Sequence, residues 1–424
     1  MREARAIQAQ LREASRVQGK PQQDDAAHAF ANLITAGKTS AAVRMLSANG
    51  GGGVHSLNTR IGQKTVREIL TEKHPPAKAA QDEALLSGEM PLLPHPVIYS
   101  GITREAIRDA VLNTQGAAGP SGMDAASWRR ICTAFHGASN DLCDALAGCA
   151  RRLASSYVDP VSLDAFLACR LIPLDKQPGV RPIGVGEVAR RIISKAILWC
   201  VLSSIQQSVG CLQLCGGQQC GIETAIHAMR VAFEAEDAEG VLFADASNAF
   251  NRLNRAVCLH NIRFVCPTLA AAVINSYRTP SRLFVDGKCL LSCEGTTQGD
   301  PLAMSMYALA TVPLIQKVSE SAALQSWYAD DSTAVSTIRK LRDGWSLLEL
   351  HGPAYGYYTN VAKSILLVKP EHCELAESLF ADTSVLICSD GCRHLGGVLG
   401  TPEYCQDYVR TKVTVWSQEV KKLG

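Results

Sequence analysis

Short runs of apolar residues, alternating with polar ones, recur between residues 170 and 400, and turn residues separate them. A period of two predicts half-buried β-strands, and a Gly, Pro or Asp turn between two such runs predicts a hairpin. Hairpins are predicted in this way in "RLIPLDKQPGVRPI", "SRLFVDGKCLLS" and "QSWYADDSTAV". Single strands are predicted at "GVLFA" and around "SILLVKP" and "HLGGVLG".

Longer apolar segments between these strands predict helices. One helix is expected to begin at Thr103, because Thr is a favoured N-cap and Ile102 and Ile107 have the spacing of a hydrophobic staple. Others are expected from "GMDAASW" toward Leu153, over "RRIISKAI", after "TTQGDPL" and near residues 337–352. The elements alternate irregularly with hairpins, which favours an α+β fold with an antiparallel sheet over a doubly wound parallel one.

Composition limits the class only loosely. The chain has 424 residues, which is enough for two or three domains, and its 47% of apolar residues can fill a sizeable core. A net charge of +2 neither requires nor excludes a nucleic-acid partner. The most apolar window, "IISKAILWCVLSSI", is interrupted by Lys195, and the N-terminus lacks the apolar core of a signal peptide. An intracellular protein that is not secreted and has no membrane partner is therefore expected.

The sixteen cysteines include no C-x-x-C pair. The absence of such pairs favours reduced, mostly buried thiols over a disulfide framework or a metal site. The alternative is a zinc site, although the spacing of the candidate ligands fits no common pattern. Those candidates are His372, Cys373, Cys388, Cys392 and His394.

Two acidic positions differ from the rest because each follows an apolar, β-prone run. Asp245 ends the predicted strand "GVLFA", and Asp330 lies at the tip of the third hairpin, 85 residues later. A strand-end carboxylate loses hydration, and two of them on adjacent strands make a site for a hard cation such as Mg²⁺. Taken singly, Asp245 also fits a strand-terminating cap, and two adjacent aspartates also fit an ordinary polar turn.

Basic residues concentrate upstream of these acids. Residues 170–195 contain six Lys or Arg against two acidic residues, and Lys176 and Arg181 flank the turn of the first hairpin. This excess suits a triphosphate or a nucleic-acid backbone, and a solvated basic face is the alternative. In "TTQGDPL", Gly299 has no side chain, which would let a base or sugar approach the backbone.

Six segments occur in a fixed order: "RLIPLDKQPGVRPIGV", "FADASNAFN", "TTQGDPL", "YADD", "GYYTNVAKS" and "HLGGVLG". Their order resembles the fingers and palm of a reverse transcriptase, an RNA-directed DNA polymerase. The motif sequences "QGDPL" and "YADD" are most similar to those of non-LTR retrotransposon reverse transcriptases, and "GPSGMDAASW" resembles an N-terminal fingers segment of those elements. The resemblance covers residues 115–405, and six ordered motifs are far more specific than "YADD" alone.

The resemblance implies a right-hand polymerase fold of the α+β class, with helical fingers and an antiparallel-sheet palm. It divides the chain into an N-terminal helical extension, a connector with a leading helix, the fingers, the palm with its primer grip, and the start of a thumb. The corresponding ranges are 1–75, 76–114, 115–240, 241–404 and 405–424. Because only that last range remains for a thumb, the thumb is expected to be truncated or absent.

The family's catalytic roles can be carried over to matching residues. Asp245, Asp330 and the backbone carbonyl of Ala246 would hold two Mg²⁺ ions, for which Mn²⁺ could substitute, and Asp331 is the neighbouring catalytic acid. Asp331 ranks below Asp330, because side chains alternate along a strand and the two cannot face one ion equally. The site would join a primer 3′-hydroxyl to a dNTP and release pyrophosphate.

Further residues are assigned to the nucleotide by the same resemblance. Lys176 and Arg181 would clamp the triphosphate, and Lys363 would lie near the departing pyrophosphate. Gln298 and Gly299 would line the nucleotide or template pocket.

Two assignments concern the sugar and the primer. The Phe250 ring would clash with a ribose 2′-hydroxyl and so select deoxynucleotides, and a plain core position is the alternative for this residue. The hairpin in "HLGGVLG" would grip the primer through Leu395, Gly396 and Gly397.

The expected partners are therefore an RNA template, a DNA primer and dNTPs, and no protein partner can be inferred. The resemblance favours a nuclear location over a cytoplasmic one. One alternative function is a catalytically silent, nucleic-acid-binding remnant or maturase-like scaffold, which would bind RNA in a salt-dependent way without extending a primer. The other is an unrelated α+β protein whose motifs coincide by chance.

Overall fold

The computed structural model describes residues 23–47, 53–176, 179–321 and 323–421. The chain forms two compact units, Gly53–Thr401 and a smaller one that joins Met1–Gly52 to Pro402–Gly424. Residues 177–178, in the turn of the first predicted hairpin, lie outside the described residues.

The described strands form two larger sheets and two hairpin-sized ones. They are β1 Arg60–Ile61, β2 Lys64–Thr65, β3 Cys169–Asp175, β4 Val180–Gly186, β5 Gly240–Ala244, β6 Ser281–Val285, β7 Lys288–Ser292, β8 Leu324–Tyr328, β9 Asp331–Ser336, β10 Ile365–Val368, β11 Leu386–Cys388, β12 Gly391–His394 and β13 Gly397–Gly400.

The helices of the described residues vary from one turn to more than five. They are α1 Gln23–Thr35, α2 Thr39–Ser47, α3 Val66–Lys73, α4 Arg104–Leu112, α5 Ala125–Thr133, α6 His136–Ser155, α7 Pro160–Leu167, α8 Val188–Cys200, α9 Leu202–Val209, α10 Gly221–Glu234, α11 Ala249–Arg252, α12 Arg255–Val265, α13 Pro267–Tyr277, α14 Pro301–Val318, α15 Ile338–Tyr355, α16 Cys373–Leu379 and α17 Pro402–Lys421. Short 3₁₀ helices span Asp82–Ala84, Pro96–Gly101, Ser319–Ser321, Val361–Lys363 and Pro370–His372. In the smaller unit, α2 packs against α1 and α17.

The central strand of the five-stranded sheet is β5, in the order β11-β10-β5-β9-β8. Its residues are apolar throughout because both faces of the sheet are covered. Leu242 and Ala244 face the main helical core, whereas Val241 and Phe243 pack in a second cluster with side chains such as Met229 of α10. The strand therefore runs through buried surroundings until its first polar residue, Asp245.

The four-stranded sheet has the order β4-β3-β6-β7 and is covered in part by α3. A capping box starts α3: the Thr65 hydroxyl accepts the Glu68 N–H, and the Glu68 carboxylate accepts the Thr65 N–H. Val66 and Leu70 on its buried face pack in one cluster with β-strand side chains such as Val180. Residues 53–75 thus belong to the larger unit, whereas the domain division implied by the family resemblance placed them in the N-terminal extension.

Most predicted elements are confirmed. Antiparallel pairing joins β3 to β4, β6 to β7 and β8 to β9, as the three hairpin patterns predict. The helix at Thr103 is confirmed, with Ile102 and Ile107 buried beside it. The fold is mixed, with helices and mainly antiparallel sheets, but the pattern did not predict the parallel pairs β3–β6 and β10–β11.

Two sequence expectations are wrong. The helix expected to run to Leu153 is two helices, α5 and α6, because the chain leaves helical geometry at Phe135 and His136 has a φ of 45°. The thiols are not mostly buried: of the sixteen cysteines, seven are buried, five are partly exposed and four are exposed. None of the described helices is long and apolar enough to cross a membrane.

Candidate active site

A cleft of about 660 Å³ in the larger unit gathers residues from several distant segments. Most of the residues assigned from the sequence line it, namely Asp245, Ala246, Asp330, Lys176, Arg181, Phe250, Gln298, Gly299 and Lys363. Asp331 and the three hairpin residues Leu395, Gly396 and Gly397 do not line it.

Asp245 is held at the end of β5 by the segment that follows α15. Its carbonyl accepts the Asn360 N–H at 2.7 Å, and its Oδ2 accepts the Asn360 side-chain amide at 2.9 Å. The same Oδ2 lies 3.4 Å from the Lys363 ammonium. Its own N–H donates to the Ser364 hydroxyl at 3.3 Å. The carboxylate is thereby fixed from both its backbone and its side chain.

Asp330 is the second residue of a two-residue turn between β8 and β9. The first, Ala329, has a φ of 55°, which an alanine rarely adopts, so the turn needs support from outside. The buried Gln213 side chain accepts the Ala329 N–H at 2.9 Å and donates to the Ala329 carbonyl at 3.1 Å. The buried Tyr357 hydroxyl donates to the Asp330 carbonyl at 2.9 Å. These two side chains fix the backbone that presents Asp330.

Burial, and after it mutual repulsion, raises the pKa of two of the carboxylates. Burial raises the pKa of Asp330, and the Asp245 carboxylate raises it further, whereas Lys176 and Lys363 lower it. Burial, together with the Asp330 and Asp245 carboxylates, raises the pKa of Asp331 to about 6. Burial and the neighbouring carboxylates therefore both disfavour the ionised forms of Asp330 and Asp331, and a cation bound beside them would favour those forms.

The carboxylate and carbonyl oxygen atoms of the site suit a hard divalent cation that completes its coordination with water or a bound phosphate. Among the residues that the structure describes, no group of three or more His, Cys, Asp or Glu side chains is arranged to hold a metal ion by itself. Asp245, Asp330 and Ala246 do line the same cleft. Two carboxylates and a backbone carbonyl leave coordination positions for water and phosphate oxygens, which is how Mg²⁺ is usually bound.

Cations line the cleft beside these oxygens. Lys176 and Arg181 flank the β3–β4 turn, as predicted, and both reach the cleft. Burial lowers the pKa of Lys176, and the charges of Arg181 and Lys363 lower it further. A fourth cation, Lys73 at the end of α3, lines the cleft and was not predicted.

The loop before α14 is anchored by a buried ion pair. Asp300 caps α14 by accepting the Leu302 N–H at 3.0 Å, and its other oxygen accepts hydrogen bonds from Arg190 and from the Tyr277 hydroxyl. The Arg190 and Asp300 side chains are each only 2% exposed. The Asp of "QGDPL" therefore has a structural role, and it positions Gln298 at the cleft.

Gly299 is needed for a reason other than the expected one. It has a φ of 107°, and a Cβ at this position would lie 2.6 Å from the Gly184 carbonyl oxygen. The Gly184 N–H donates to the Gln298 carbonyl at 2.7 Å. The missing side chain therefore lets the loop dock against β4. Gly299 also lines the cleft, and the approach of a base or sugar to its backbone stays a prediction.

Phe250 combines a core contact with a place in the cleft. Its ring stacks on the buried Tyr307 ring, with 4.6 Å between centroids and 25° between planes. Gln298, nearby, donates its amide to the Asn251 side chain at 3.2 Å. The contact of Phe250 with a sugar and that of Gln298 with a nucleotide stay predictions.

The β12–β13 hairpin turns through Leu395 and Gly396, whose φ values of 48° and 87° are those of a type I′ turn. Its role in holding a primer stays a prediction. The zinc alternative is wrong within the described residues, because no such ligand cluster exists there. Instead, the His394 ring packs on Phe243 at 5.0 Å, and burial lowers the pKa of His394 to about 4.

Three residues at or behind the cleft were missed by sequence reasoning: Lys73, Gln213 and Asn360. Asn360 lies inside the quoted motif "GYYTNVAKS", so the motif contained a signal for it. Gln213 is a single polar residue in the apolar stretch "CLQLC", which hints at a buried hydrogen bond but not at its partner. Nothing in the sequence connects Lys73 with the cleft.

Comparisons with known proteins add little to this geometry. No protein-family model matches the chain, and no curated protein matches its sequence. A solved structure of apo telomerase from Candida tropicalis, truncated from the C-terminal domain, is similar with a TM-score of 0.38 and 15% identity. The likeness covers 48% of this chain and 51% of that chain, so the chain spans about half the length of that structure. A likeness of this strength assigns neither family nor activity, which leaves the site geometry to support a function.

Proposed function

We propose that this chain is an RNA-directed DNA polymerase of the non-LTR retroelement type, which extends a primer 3′-hydroxyl with dNTPs. The observation that carries the proposal is a single cleft that holds Asp245 and Asp330 beside the cations of Lys176, Arg181 and Lys363. Metal-binding carboxylates next to phosphate-binding cations are what nucleotidyl transfer requires. The choice of RNA as template and of this retroelement type depends on the six ordered sequence motifs.

In this proposal, the five-stranded sheet is the palm and the β3–β4 hairpin belongs to the fingers. Bound Mg²⁺ or Mn²⁺ would activate the primer hydroxyl and stabilise the leaving pyrophosphate. Asp245, Asp330 and the Ala246 carbonyl would hold the metal. Lys176 and Arg181 would bind the triphosphate through charge-assisted hydrogen bonds.

Two residues would set the chemistry around the nucleotide. Lys363, close to Asp245, would balance charge on the departing pyrophosphate. Phe250, fixed by its stacking on Tyr307, would keep a ribose 2′-hydroxyl out of the sugar position. Because one face of the Phe250 ring packs on the buried Tyr307 ring, Phe250 would resist displacement by the extra hydroxyl of a ribonucleotide.

Primer extension on an RNA template with Mg²⁺ and dNTPs tests the proposal. The unmodified protein is expected to extend the primer, and Asp330→Asn is expected to abolish extension. Asp382→Asn is the matched control, because it removes one carboxylate from an exposed pair with Arg342. Salt-dependent RNA binding without extension by the unmodified protein would refute the proposal and favour the silent scaffold. Equal incorporation of ribonucleotides and deoxynucleotides would refute the role of Phe250.

A further inference from the structure

Lys73 is held at the cleft by contacts on both sides of its helix. Leu70 and Val66, about one and two turns earlier, are fully buried against the four-stranded sheet. The Lys73 carbonyl accepts hydrogen bonds from the Asn248 and Asn251 side chains, each at 3.0 Å. These two asparagines belong to the segment that follows Asp245, so the end of α3 is tied to the chain that presents the carboxylate.

The Lys73 ammonium has no carboxylate partner among the residues that the structure describes. Burial lowers the pKa of Lys73, and the charges of Lys176, Lys363, Arg181 and Arg252 lower it further. A lysine at a helix C-terminus is favoured by the helix dipole, but that effect would be satisfied equally by a fully solvated side chain. A half-buried ammonium among four other cations is instead unfavourable until an anion enters the cleft.

We propose that Lys73 is a phosphate-binding residue, which completes the cationic side of the cleft and contacts the polyphosphate of the incoming nucleotide. The inference rests on the proposed function, because the same cleft would hold the dNTP. Lys73 shares the cleft with Lys176, Arg181 and Lys363, and the cleft volume of about 660 Å³ is large enough for a nucleoside triphosphate. Since the residue comes from α3, a segment outside the six ordered motifs would take part in substrate binding.

A phosphate of the template or primer backbone has the same chemistry as the nucleotide's polyphosphate. The two sources differ in what a neutral variant changes. Loss of a contact with the nucleotide raises the KM for dNTP. Loss of a contact with a template or primer phosphate instead weakens template–primer binding, and it reduces by about one the slope of the logarithm of the binding constant against the logarithm of the salt concentration.

The first experiment measures binding of inorganic tripolyphosphate by calorimetry, in the presence of Mg²⁺, for the unmodified protein, Lys73→Met and Lys73→Arg. Lys73→Met is expected to weaken binding about tenfold, because one charge-assisted contact is lost, and Lys73→Arg is expected to restore most of it. Lys64→Met is the matched control, because it removes an exposed ammonium that lies just before the start of the same helix and pairs with Glu72. Thermal unfolding of each variant verifies that the fold is intact.

The second experiment measures the KM for dNTP and the dissociation constant of the template–primer for the same variants. The inference predicts a KM about tenfold higher for Lys73→Met with a nearly unchanged template–primer affinity. Unaltered tripolyphosphate binding by Lys73→Met would overturn the inference, as would a defect confined to template–primer binding. If no variant extends a primer, the proposed polymerase function fails, yet the tripolyphosphate measurement still decides whether Lys73 binds phosphate.

Discussion

Asp331→Asn should stabilise the metal-free protein at neutral pH. The substitution keeps the shape of a side chain for which no hydrogen bond is found among the described residues and removes one of three neighbouring negative charges. The pKa of the Asp331 carboxyl is raised from 3.8 to about 6 in the folded protein. A shift of that size corresponds to about 3 kcal/mol by which folding disfavours the ionised form.

The sign of the pH dependence follows from proton binding. Between about pH 4 and pH 6 the folded state binds the Asp331 proton more tightly than the unfolded state does, so the stability of the unmodified protein falls as pH rises through this window. Above pH 6 the full loss of about 3 kcal/mol is present, and below pH 4 it is absent. The asparagine variant cannot lose this stability, so its advantage should appear only toward neutral pH.

Thermal unfolding in EDTA at pH 4.5 and pH 7.5 measures the difference. For a cooperative unit the size of Gly53–Thr401, 3 kcal/mol corresponds to a rise of about 4 °C in Tm at pH 7.5. The loss of about 1 kcal/mol at pH 4.5 corresponds to a rise of about 1.5 °C. Asp343→Asn, on the exposed face of α15, is the control for removal of one charge. An equal rise at both pH values, or none at pH 7.5, would refute the reasoning about carboxylate repulsion.

Three further outcomes follow from the contacts around the cleft. Gln213→Leu leaves the buried N–H and carbonyl of Ala329 unpaired, so it should cost about 2–4 kcal/mol in chemical denaturation and lower kcat for extension more than it changes KM. Arg190→Met leaves the Asp300 charge buried without its partner, and urea unfolding should show a loss of about 3–5 kcal/mol, with a smaller loss for a double variant that also carries Asp300→Asn. Gly299→Ala must place a Cβ against the Gly184 carbonyl at a positive φ, so a Tm lower by several degrees is expected, whereas an unchanged Tm would show that the loop is not tightly docked.

The sequence predicted the ends of strands well, because the change from apolar to polar residues there is local. Asp245 follows five buried apolar residues, and Asp330 lies in a turn bounded by two β-prone runs, so both positions could be placed before any tertiary contact was known. That both face one cleft depends on β5 and β9 being neighbours in the sheet. No periodicity encodes that neighbourhood, and only the order of the motifs suggested it.

What the sequence could not predict are contacts between segments that lie far apart. Gln213 reaches Ala329 across 116 residues, and no pattern around either residue announces the other. The φ of Ala329 is equally hidden, because a positive φ is ordinarily predicted from glycine, asparagine or aspartate. Lys73 was missed for the same reason, since its helix looks like any short amphipathic helix when it is considered by itself.

The docking of α3 also has a consequence for synthesis of the chain on the ribosome. The carbonyl of Lys73 accepts a hydrogen bond from the side-chain amide of Asn248, which lies 175 residues later in the chain. At about 5–20 residues per second, the helix leaves the ribosome roughly 9–35 s before this partner is made. Throughout that interval the apolar faces of Val66 and Leu70 lack their full covering, so we expect this helix to be a binding segment for chaperones on the nascent chain.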